Sequence, residues 1–580
     1  MPFHYIQSTD DLKHASTILA GRGLLALDLE TEGLDPHRHK VVLLAVGDDR
    51  EQLLVDCRRV SLEPLVPLLT GDVPKVTHNG AFDLAMLRSV GIRVENVLDT
   101  MLIEQVLENG IRRGRASLAS LSEKYLGKAL DKTEQKGFAA VGGGELSKAQ
   151  LEYSLRDILA TYHVLLEQMS AVVQKGLENT VRLECRAVPA FADMHYDGVF
   201  LDAQAWRELI DEARRSKEQY RSEIDKLFAG VVQVDLFGRV DINLESENEV
   251  RGALEKLLGR PVRSVDKSNL KRLGHPIGQA IIAYREASKI VSAYGESFLD
   301  FIHPVTGRIH ADFMQVGAPT GRVACRDPNL QNIPRGSRFR KCFKAPEGYK
   351  MITADYSGCE LRILAEVSGD PAFVNTFSRG GDLHSIVASE IFSRPVSKER
   401  NKELRDRAKA INFGLAYGMG AGGLAAQTGL PLDEAERLLK RYFRAYPKVR
   451  AYLEDSARIA LSRGWVQTLA GRKLWLGVGE RMEGSDLAAV RRIAKNMPIQ
   501  GTNADMLKLA MAGIRRRFID DNFDARIVNT VHDEVLVEAN DSDAWDVAEI
   551  VRAEMVKAGE RFISSVPIEV DVSVADHWVK

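Results

Sequence analysis

Four side chains on one predicted helix could bind an elongated ligand with an anionic end and a flat end. Arg405, Lys409, Phe413 and Tyr417 follow one another at intervals of four residues. In an α-helix each such step rises about 6 Å and turns by only about 40°, so all four share one face. Two cations followed by two aromatic rings suit the phosphates and the base of a nucleoside triphosphate. An amphipathic helix with a basic exposed end and a buried aromatic end has the same spacing.

Two aspartates in the second half of the chain could support phosphoryl transfer. Asp355 follows the strand-like run MITA, and Asp533 interrupts two apolar runs, ARIVNTV and EVLVE, as a hairpin turn does. A hairpin tip beside a strand end would place both carboxylates in one site. Phosphoryl transfer depends mainly on positioning and charge neutralisation, so this pair holding two magnesium ions is chemically sufficient. A polar turn on a surface hairpin is the alternative interpretation of the sequence HDE.

A second set of acids lies near the N-terminus. Asp28 and Glu30 close the apolar run LLAL, and residues two apart on a strand point to the same face. Asp83 and Asp157 supply two more carboxylates, and Tyr153 lies one helical turn before Asp157. Four converging carboxylates repel one another unless divalent cations lie between them, which is the arrangement of two-metal phosphodiester hydrolysis. Taken singly, each acid could equally be a surface residue or a helix cap.

Two structural units are needed to position these groups. The first, up to about residue 174, begins with a strand-like run at 24–27 and later becomes helical, which predicts an α/β fold. From residue 177 the pattern is mostly helical and rich in Lys and Arg through about residue 294. Strand signals return at 351–354, and a hairpin is predicted at 526–538.

Composition narrows the class of protein. A chain of 580 residues with 45% hydrophobic content should divide into several domains. No apolar run reaches membrane-spanning length and the start lacks a signal-peptide pattern, which predicts an intracellular protein. Five cysteines without CxxC spacing indicate neither zinc nor disulfides.

Bulk charge does not indicate a nucleic-acid partner. Lys plus Arg (79) nearly balance Asp plus Glu (81), so any DNA path must come from local clusters. A solvated charged face is the alternative explanation of each cluster. The clusters are Arg335, Arg338, Arg340, Lys341 and Lys344, and Arg491, Arg492 and Lys495.

Five motifs together resemble one enzyme family. The segment RDRAKAINFGLAYG resembles the fingers helix of family A DNA polymerases, the group that includes the Klenow portion of bacterial DNA polymerase I. TGRVACRDPNLQNIP and ADYSGCELR before it, and NMPIQGTNAD and VHDEV after it, occur in the order of the family. The N-terminal acids, as an ordered set, resemble the three motifs of the DEDDy 3′-to-5′ exonucleases.

The resemblance implies a multidomain α/β fold. An RNase-H-like exonuclease domain at 1–174 is expected to precede a right-hand polymerase domain at 175–580. The subdomains expected within the hand are a thumb at about 203–300, a palm at about 305–370 and 490–580, and fingers at about 371–489. No 5′ nuclease domain is expected, because the chain starts directly at the editing domain.

The resemblance also implies roles for the acids. Asp28, Glu30, Asp83 and Asp157 are expected to bind two Mg²⁺ ions, and Tyr153 to orient the attacking water. Asp355 and Asp533 are expected to bind two more, with Mn²⁺ as an alternative metal at either site. Asp99 and Thr100 also resemble the family, but capping or fold support explains them, so they are left out of the site.

Nucleotide and DNA contacts follow from the same resemblance. Arg405 and Lys409 are expected to bind the triphosphate, and Lys409 is also expected to protonate the leaving pyrophosphate. Phe413 is expected to lie along the sugar, and Tyr417 against the nascent base pair. His384 is an expected further phosphate contact, and Glu360 an expected block to a ribose 2′-hydroxyl. The expected duplex and primer contacts are Arg322, Asn329, Gln331, Asn332, Arg492, Asn496, Gln500 and His532.

The implied function is template-directed DNA synthesis with 3′-to-5′ proofreading, in replication or repair. The expected partners are primer-template DNA, deoxynucleoside triphosphates and a replisome or processivity factor, for a monomer without membrane contact. The expected location is the cytoplasm, at the nucleoid or in a host cell if the gene is a phage's. Gly358 and Cys359 depart from the Gln-Ile pair of bacterial members, and Thr530 stands where they often carry Gln, so details of primer contact are expected to differ.

Three other classes of protein remain as alternatives. A dedicated exonuclease with an inactive hand conflicts with the complete set of acids and cations in the hand. A single-subunit RNA polymerase shares the stripe and the acids, but Glu360 and the editing unit argue against it. A DNA-binding scaffold without catalysis needs no paired carboxylates.

Overall fold

A computed structural model describes residues 3–112, 114–235, 239–336, 338–397, 399–416, 419–477 and 484–579. These residues form two units. The larger unit comprises Met1–Gly198, Ala311–Asn332 and Pro346–Asp576, and the smaller one comprises Val199–His310, Ile333–Ala345 and His577–Lys580. Within the described ranges, no helix combines the length and the hydropathy needed to cross a bilayer.

The N-terminal part of the larger unit is built on a six-stranded mixed sheet in the order β1-β4-β3-β2-β5-β6. Strand β3 runs antiparallel to both neighbours, and the remaining pairs are parallel. The strands are β1 His4–Ile6, β2 Leu25–Thr31, β3 Val41–Gly47, β4 Gln52–Asp56, β5 Lys75–Thr77 and β6 Val97–Asp99. Strands β3 and β4 are buried along their whole length, which explains their near-continuous apolar sequences. The predicted α/β fold of this region is confirmed.

Helices cover this sheet and lead out of it. They are α1 Thr9–Leu19, α2 Val66–Thr70, α3 Gly80–Ser89, α4 Thr100–Leu107, α5 Leu118–Leu126, α6 Lys148–Lys175 and α7 Glu178–Asp197. The long helix α6 starts with a reciprocal capping box between Ser147 and Gln150 and ends at Gly176, which has a φ of 60°. These caps fix the register of the helix that carries Tyr153 and Asp157.

The smaller unit is mainly helical. It contains β7 Val199–Phe200, α8 Ala203–Phe228, α9 Glu247–Leu258, α10 Lys267–Arg272, α11 Pro276–Ala293 and β8 Arg308–Ile309. Helices α8 and α11 pack against each other, and the Trp206 ring stacks on Phe298 with 4.5 Å between ring centroids. Residues 203–300, the predicted thumb, lie within this unit.

The basic cluster at 335–344 is largely engaged inside the smaller unit. The Arg340 guanidinium lies 3.9 Å from the centre of the Trp578 ring and is only 2% exposed. Arg338 pairs with Glu212 at 2.6 Å, and Lys344 pairs with Asp202 at 2.6 Å. Each of these three cations therefore has an acidic or aromatic partner in the folded protein, and the hypothesis that the cluster contributes to a DNA path stays a prediction.

The second half of the larger unit contains a four-stranded antiparallel sheet in the order β14-β15-β11-β16. Its strands are β11 Tyr349–Tyr356, β14 Ala525–Val531, β15 Glu534–Asn540 and β16 Val570–Ala575. The strands outside it are β9 Asp312–Met314, β10 Ala324–Arg326, β12 Trp465–Gln467 and β13 Lys473–Trp475. The hairpin predicted at 526–538 is confirmed by the pairing of β14 with β15.

Helices surround this second sheet. They are α12 Cys359–Ser368, α13 Pro371–Ser378, α14 Leu383–Phe392, α15 Lys402–Ala416, α16 Ala421–Thr428, α17 Leu432–Ala445, α18 Pro447–Arg463, α19 Ser485–Asp520 and α20 Ala544–Glu560. Helix α19 packs against α7, α12, α15, α18 and α20. It is therefore the element that connects the N-terminal region to the second sheet and its helices.

A buried ionic network ties α7 to α19. Lys508 on α19 donates to Glu184 on α7 at 2.6 Å, and Arg472 bridges Glu184 and Asp505. All four side chains are at most 1% exposed. Removing one partner of such a network leaves an uncompensated buried charge, so the network fixes one arrangement of these two helices.

Candidate functional site

Asp355 and Asp533 occupy adjacent positions of the antiparallel sheet. Asp355 is the last residue but one of β11, and its Cα pairs in register with Glu534 at the start of β15. Asp533 precedes Glu534 in the hairpin turn, and the Tyr356 N–H donates to the Asp533 carbonyl oxygen at 3.3 Å. The prediction that a strand end and a hairpin tip bring the two acids together is confirmed by this register.

The pair of Asp355 and Asp533 lies beside the exposed His532 and the buried side chains of Tyr356 and Cys359. His532, beside Asp533, has a φ of 59°, a left-handed conformation in which His is enriched relative to most residues. The Tyr356 hydroxyl donates to the Met555 carbonyl at 2.7 Å and anchors the end of β11 on α20. Burial raises the pKa of the Cys359 thiol well above its ordinary value, and the charges of Asp533, Glu360 and Asp355 raise it further. Three acids therefore surround Cys359.

Glu360 is held in a fixed position beside these acids. Gly358 has a φ of 63° and starts α12, which places Glu360 in the first turn of the helix. The Arg322 guanidinium donates to the Glu360 carboxylate at 2.6 Å, and Glu360 is only 6% exposed. Arg322, predicted as a DNA contact, is thus in the structure a partner of the predicted sugar gate.

The cations of the predicted stripe lie on α15, facing α14. Arg405 donates to the Asp382 carboxylate through Nε at 2.6 Å and Nη2 at 3.1 Å. Burial alone would raise the pKa of Asp382, but hydrogen bonds from Arg405 and Ser385 lower it to about 2. Asp382 is therefore ionised at neutral pH and orients the Arg405 guanidinium.

The positive charges of Arg405 and Lys409 also act on His384. Its pKa is lowered to about 4 by burial and by the positive charges of Arg405 and Lys409, against the opposing charge of Asp382. The His384 ring nitrogen Nδ1 lies 3.0 Å from the Asn412 amide nitrogen on α15. The structure thus brings Arg405, Lys409 and His384 together. Tyr417 and the Phe413 side chain lie outside the described residues.

The predicted DNA contacts fall into two groups. Asn329, Gln331 and Asn332 lie in a loop after a cis Asp327–Pro328 bond, and the Gln331 amide donates to the Thr530 carbonyl of β14 at 3.2 Å. That bond ties the loop to the hairpin that carries Asp533. The second group, Arg492, Asn496 and Gln500, is spaced by four residues on one face of α19. The Asn496 side-chain oxygen is buried and has no hydrogen-bond partner among the described residues.

The N-terminal acids converge from three elements. Asp28 and Glu30 lie on β2, Asp83 on α3, and Asp157 on α6. The pKa of Asp28 is raised to about 7 by burial and by the charge of Asp157, and that of Glu30 to about 9 by burial and by the charge of Asp28. Burial, and then the charge of Asp28, raises the pKa of Asp83 well above its ordinary value. The predicted set is therefore one cluster of mutually repelling carboxylates.

Tyr153 and two residues absent from the sequence prediction complete this cluster. The Lys132 ammonium donates to the Asp157 carboxylate at 2.6 Å and to the Tyr153 hydroxyl at 3.1 Å. The Ser154 hydroxyl donates to the Glu30 carboxylate at 3.0 Å. Lys132 is the one cation that opposes the raised pKa of both Asp28 and Glu30 among the described residues.

Asp99 caps a helix. Its carboxylate accepts the Gly80 N–H at 2.6 Å and the Leu102 N–H at 3.0 Å, at the starts of α3 and α4. The interpretation of Asp99 as fold support is confirmed.

Both acid clusters have the donor chemistry of hard divalent cations, since carboxylate oxygens are the ligands that Mg²⁺ prefers. The mutual repulsion of the N-terminal acids is relieved when such a cation binds. As the side chains stand, no three acidic, His or Cys side chains within the described ranges are spaced to coordinate a single ion. At the N-terminal cluster Lys132 supplies part of the compensating charge.

Comparison with known sequences decides the family. The profile described as DNA polymerase family A matches residues 210–580, and a 3′-5′ exonuclease profile matches residues 3–174. The chain belongs to DNA polymerase family A. The exonuclease domain followed by a family A polymerase domain is the organisation expected from the motifs.

Individual relatives agree with this membership. DNA polymerase I of Pseudomonas aeruginosa is 33% identical over 595 residues, covering 96% of this chain and 63% of the relative. The thermostable DNA polymerase I of Thermus aquaticus is 37% identical over 403 residues, covering 67% of this chain and 46% of the relative. This chain thus spans about half to two thirds of the length of these relatives.

A solved structure of the same family has the same fold. The polymerase domain of Pol1 from M. smegmatis, determined with DNA primer-template and dNTP, superimposes with a TM-score of 0.84 at 28% identity. The match covers 100% of this chain and 99% of the solved chain.

Two contacts of this family A polymerase escaped the sequence prediction for the same reason. Lys132 lies in a loop segment 25 residues before Asp157, and Asp382 lies 23 residues before Arg405. Neither partner shares a periodic pattern with the residue it contacts. In the DLHS segment the resemblance implies a role for His384 and none for Asp382.

The metal-free exonuclease cluster should destabilise the folded protein at high pH. The pKa of Glu30 is higher in the folded state than in the unfolded state. The folded state therefore gains stability from the protonated carboxyl at a pH below the unfolded pKa. That gain is lost as the pH rises towards the folded pKa of about 9. We expect Glu30→Gln, which mimics the protonated carboxyl, to match the wild-type melting temperature near pH 5 in EDTA. At pH 9 the melting temperature of Glu30→Gln should exceed that of the wild type, by about 2–4 °C for each kcal/mol of stability regained. Differential scanning calorimetry measures this difference, and a Gln variant that melts below the wild type at pH 9 would contradict it.

Proposed function

We propose that this protein is a DNA-directed DNA polymerase with 3′-to-5′ proofreading activity. The observation that carries the proposal is the adjacency of Asp355 and Asp533 on one sheet, together with the cationic group of Arg405, Lys409 and His384. Helix α19 packs against both α12, which carries Glu360, and α15, which carries the cations. An acidic pair and a triphosphate-binding helix are the two parts that nucleotidyl transfer requires.

In the proposed polymerase reaction, Asp355 and Asp533 hold the metal ions. When bound, Mg²⁺ supplies charge neutralisation at the triphosphate and lowers the pKa of the primer 3′-hydroxyl. Arg405 keeps N–H donors free for phosphate oxygens, because Asp382 occupies only Nε and Nη2 of its guanidinium. Lys409, which is exposed, donates a proton to the departing pyrophosphate. The neutral His384 ring provides a further phosphate hydrogen bond.

Selection of the sugar and of the primer terminus rests on fixed side chains. Glu360, locked by Arg322, occupies the space that a ribose 2′-hydroxyl needs, so the product is DNA. Asn496 offers a buried oxygen that has no hydrogen-bond partner among the described residues, and Gln331 is tied to the hairpin of Asp533. We assign these residues, with Asn329, Asn332, Arg492, Gln500 and His532, to the primer and duplex contacts. Phe413 and Tyr417 are assigned to the sugar and base pair by motif alone.

In the proposed exonuclease reaction, Asp28, Glu30, Asp83 and Asp157 hold two metal ions and Tyr153 orients the attacking water. The Tyr153 hydroxyl is held by Lys132 and is buried, so its direction is fixed before substrate binds. A mispaired terminus weakens the primer contacts and frays towards this site, which gives proofreading its physical basis.

The remaining assignments follow from this function. We propose that the smaller unit contains the thumb, that residues 1–174 edit, and that the palm and fingers lie in the second half of the larger unit. Mg²⁺ is the proposed metal, with Mn²⁺ as a substitute. The proposed partners are primer-template DNA, deoxynucleoside triphosphates and a replisome or processivity factor, for a monomer that acts on DNA in the cytoplasm.

Template-directed extension tests the proposal. A labelled recessed primer should be extended by the protein with all four deoxynucleoside triphosphates and Mg²⁺, in the order that the template dictates, and not in EDTA. Ribonucleoside triphosphates offered separately should give at most about a hundredth of that rate. Extension that ignores the template, or equal use of ribonucleotides, would refute the proposal.

Lys132 should be needed for exonuclease activity and not for synthesis. In Lys132→Met the Tyr153 hydroxyl and the Asp157 carboxylate lose their shared donor, so we expect the rate of primer degradation to fall by about tenfold or more. The rate of nucleotide incorporation by the same variant should stay within about twofold of the wild type. Single-turnover assays on a mismatched labelled primer measure both rates. Lys128→Met, an exposed position in the same segment, is the matched control, and an unchanged degradation rate in Lys132→Met would contradict the assignment.

A further inference from the structure

A groove on the larger unit is lined by cations and apolar side chains that the proposed reactions do not use. It has a volume of about 700 Å³ and is formed by α7, α19, α20 and the turn that joins β12 to β13. Its floor includes Leu183, Leu509 and Ala558, and Leu469 and Phe562 reach its surface. Leu469 is 43% exposed, although it is a large apolar side chain.

The cations are arranged as two pairs on opposite walls. Arg182 and Arg186 are one turn apart on α7, and Lys557 and Arg561 have the same spacing on α20 and directly after it. All four are exposed. Side chains four residues apart share one helix face, so each wall presents two positive charges to the groove.

These charges are mostly uncompensated. Within the part of the chain that the structure describes, Arg182, Arg186 and Arg561 have no ion pair or side-chain hydrogen bond. Many other surface arginines are paired with an acid on the same helix, as Arg450 is with Glu454 at 2.8 Å. The acid in the lining, Glu554, is 7% exposed and already bonds to Lys557 at 3.1 Å. The groove is therefore strongly positive on a chain whose formal net charge is only −2.

We propose that this groove binds an acidic linear segment of a partner protein, whose apolar side chains insert between the two arginine walls. Carboxylates of the segment pair with Arg182, Arg186 and Arg561, and its Leu or Phe side chains contact Leu469, Leu509 and Phe562. A linear peptide supplies alternating charge and apolar anchors at this scale. This docking site is independent of nucleotide transfer and of editing.

The lining favours a peptide over a nucleic-acid strand. Single-stranded DNA is bound by rows of aromatic platforms, and Phe562 is the one aromatic side chain in the lining. Reading base edges requires neutral polar donors and acceptors, and Asn179 is the one such side chain there. Aliphatic side chains between arginines match an acidic and apolar sequence.

Fluorescence anisotropy with the intact chain tests this inference. The probe is a fluorescein-labelled peptide of repeated Asp-Asp-Leu units, about ten residues long. We expect saturable binding that weakens as salt is added, because the pairs lie at the surface. A peptide with Ser in place of Leu, and one with Lys in place of Asp, should each bind at least about tenfold more weakly.

Variants of the walls locate the site. Arg182→Glu combined with Arg186→Glu should weaken binding of the Asp-Asp-Leu peptide by at least about tenfold, and Arg561→Glu by about threefold or more. Arg561 follows the end of α20, so its variant remains informative if the double variant lowers stability. Arg552→Glu is the matched control, since Arg552 is exposed on α20 outside the groove, and it should stay within about twofold of the wild type.

Several outcomes would overturn the inference. If the Ser-containing peptide binds as tightly as the Leu-containing one, peptide binding depends on overall charge alone and the apolar side chains contribute nothing. An oligothymidylate of about ten nucleotides that binds more tightly than the peptide and loses binding in the same arginine variants would make the groove a nucleic-acid site. Absence of saturable peptide binding at low salt would also overturn it.

Discussion

Replacing Asp355 with alanine is expected to lower the rate of nucleotide incorporation by at least about a thousandfold while leaving primer degradation intact. The carboxylate lost is one of the two that the sheet places together, and Asp533 alone would not hold the metal ions that neutralise the triphosphate and acidify the primer hydroxyl. The N-terminal acids lie on β2 of the other sheet and on helices α3 and α6, so their cluster is untouched.

Rapid-quench incorporation of one nucleotide, and degradation of a mismatched primer without nucleotides, measure the two activities of Asp355→Ala. Asp571→Ala is the matched control, because Asp571 pairs with Asp355 from the opposite neighbour, β16, and is exposed. Its incorporation rate should stay within about twofold of the wild type. Incorporation by Asp355→Ala at a rate near that of the wild type would refute the assignment.

The second large effect is expected from Asp28→Ala combined with Glu30→Ala. Both carboxylates lie on β2 in the centre of the N-terminal cluster, and their loss removes half of the proposed metal ligands. We expect degradation of a mismatched primer to fall by at least about a thousandfold and incorporation of a correct nucleotide to stay within about twofold. The error frequency of synthesis should rise as a consequence.

A gel assay of a labelled primer, with and without nucleotides, measures both effects of the double variant. Asp49→Ala, an exposed acid in the turn between β3 and β4, controls for loss of negative charge in the same domain. Its degradation rate should match that of the wild type. Degradation persisting in the double variant would place the nuclease activity elsewhere in the chain.

Much of the placement of these acids could be predicted from local sequence. An apolar run ending in Asp355, and two β-type runs separated by His532 and Asp533, specify a strand end and a hairpin without any knowledge of their pairing. The spacing of Asp28 and Glu30 likewise specifies one face of a strand. The family resemblance alone predicts that the strand end and the hairpin meet. Local sequence cannot predict it, because the pairing of β11 with β15 joins segments far apart in the chain.

Contacts made by isolated side chains could not be predicted. Lys132 and Asp382 lie in segments without periodic patterns, and their partners are identified only by the folded positions of α6 and α15. The partner of Arg340 could not be predicted either, because Trp578, whose ring the guanidinium covers, lies at the other end of the chain. A count of cations in a short stretch of sequence does not reveal the distant aromatic rings and acids that contact those cations in the folded protein.

The most direct test of the account is a double-mutant cycle of Asp355→Asn and Asp533→Asn, measured as the rate of incorporation of one nucleotide. Because both carboxylates are proposed to hold the same ions, removing the second after the first should cost little more, and the double variant should match the slower single variant within about threefold. Losses that multiply across the two positions would show that the aspartates act independently, and would contradict a shared metal site.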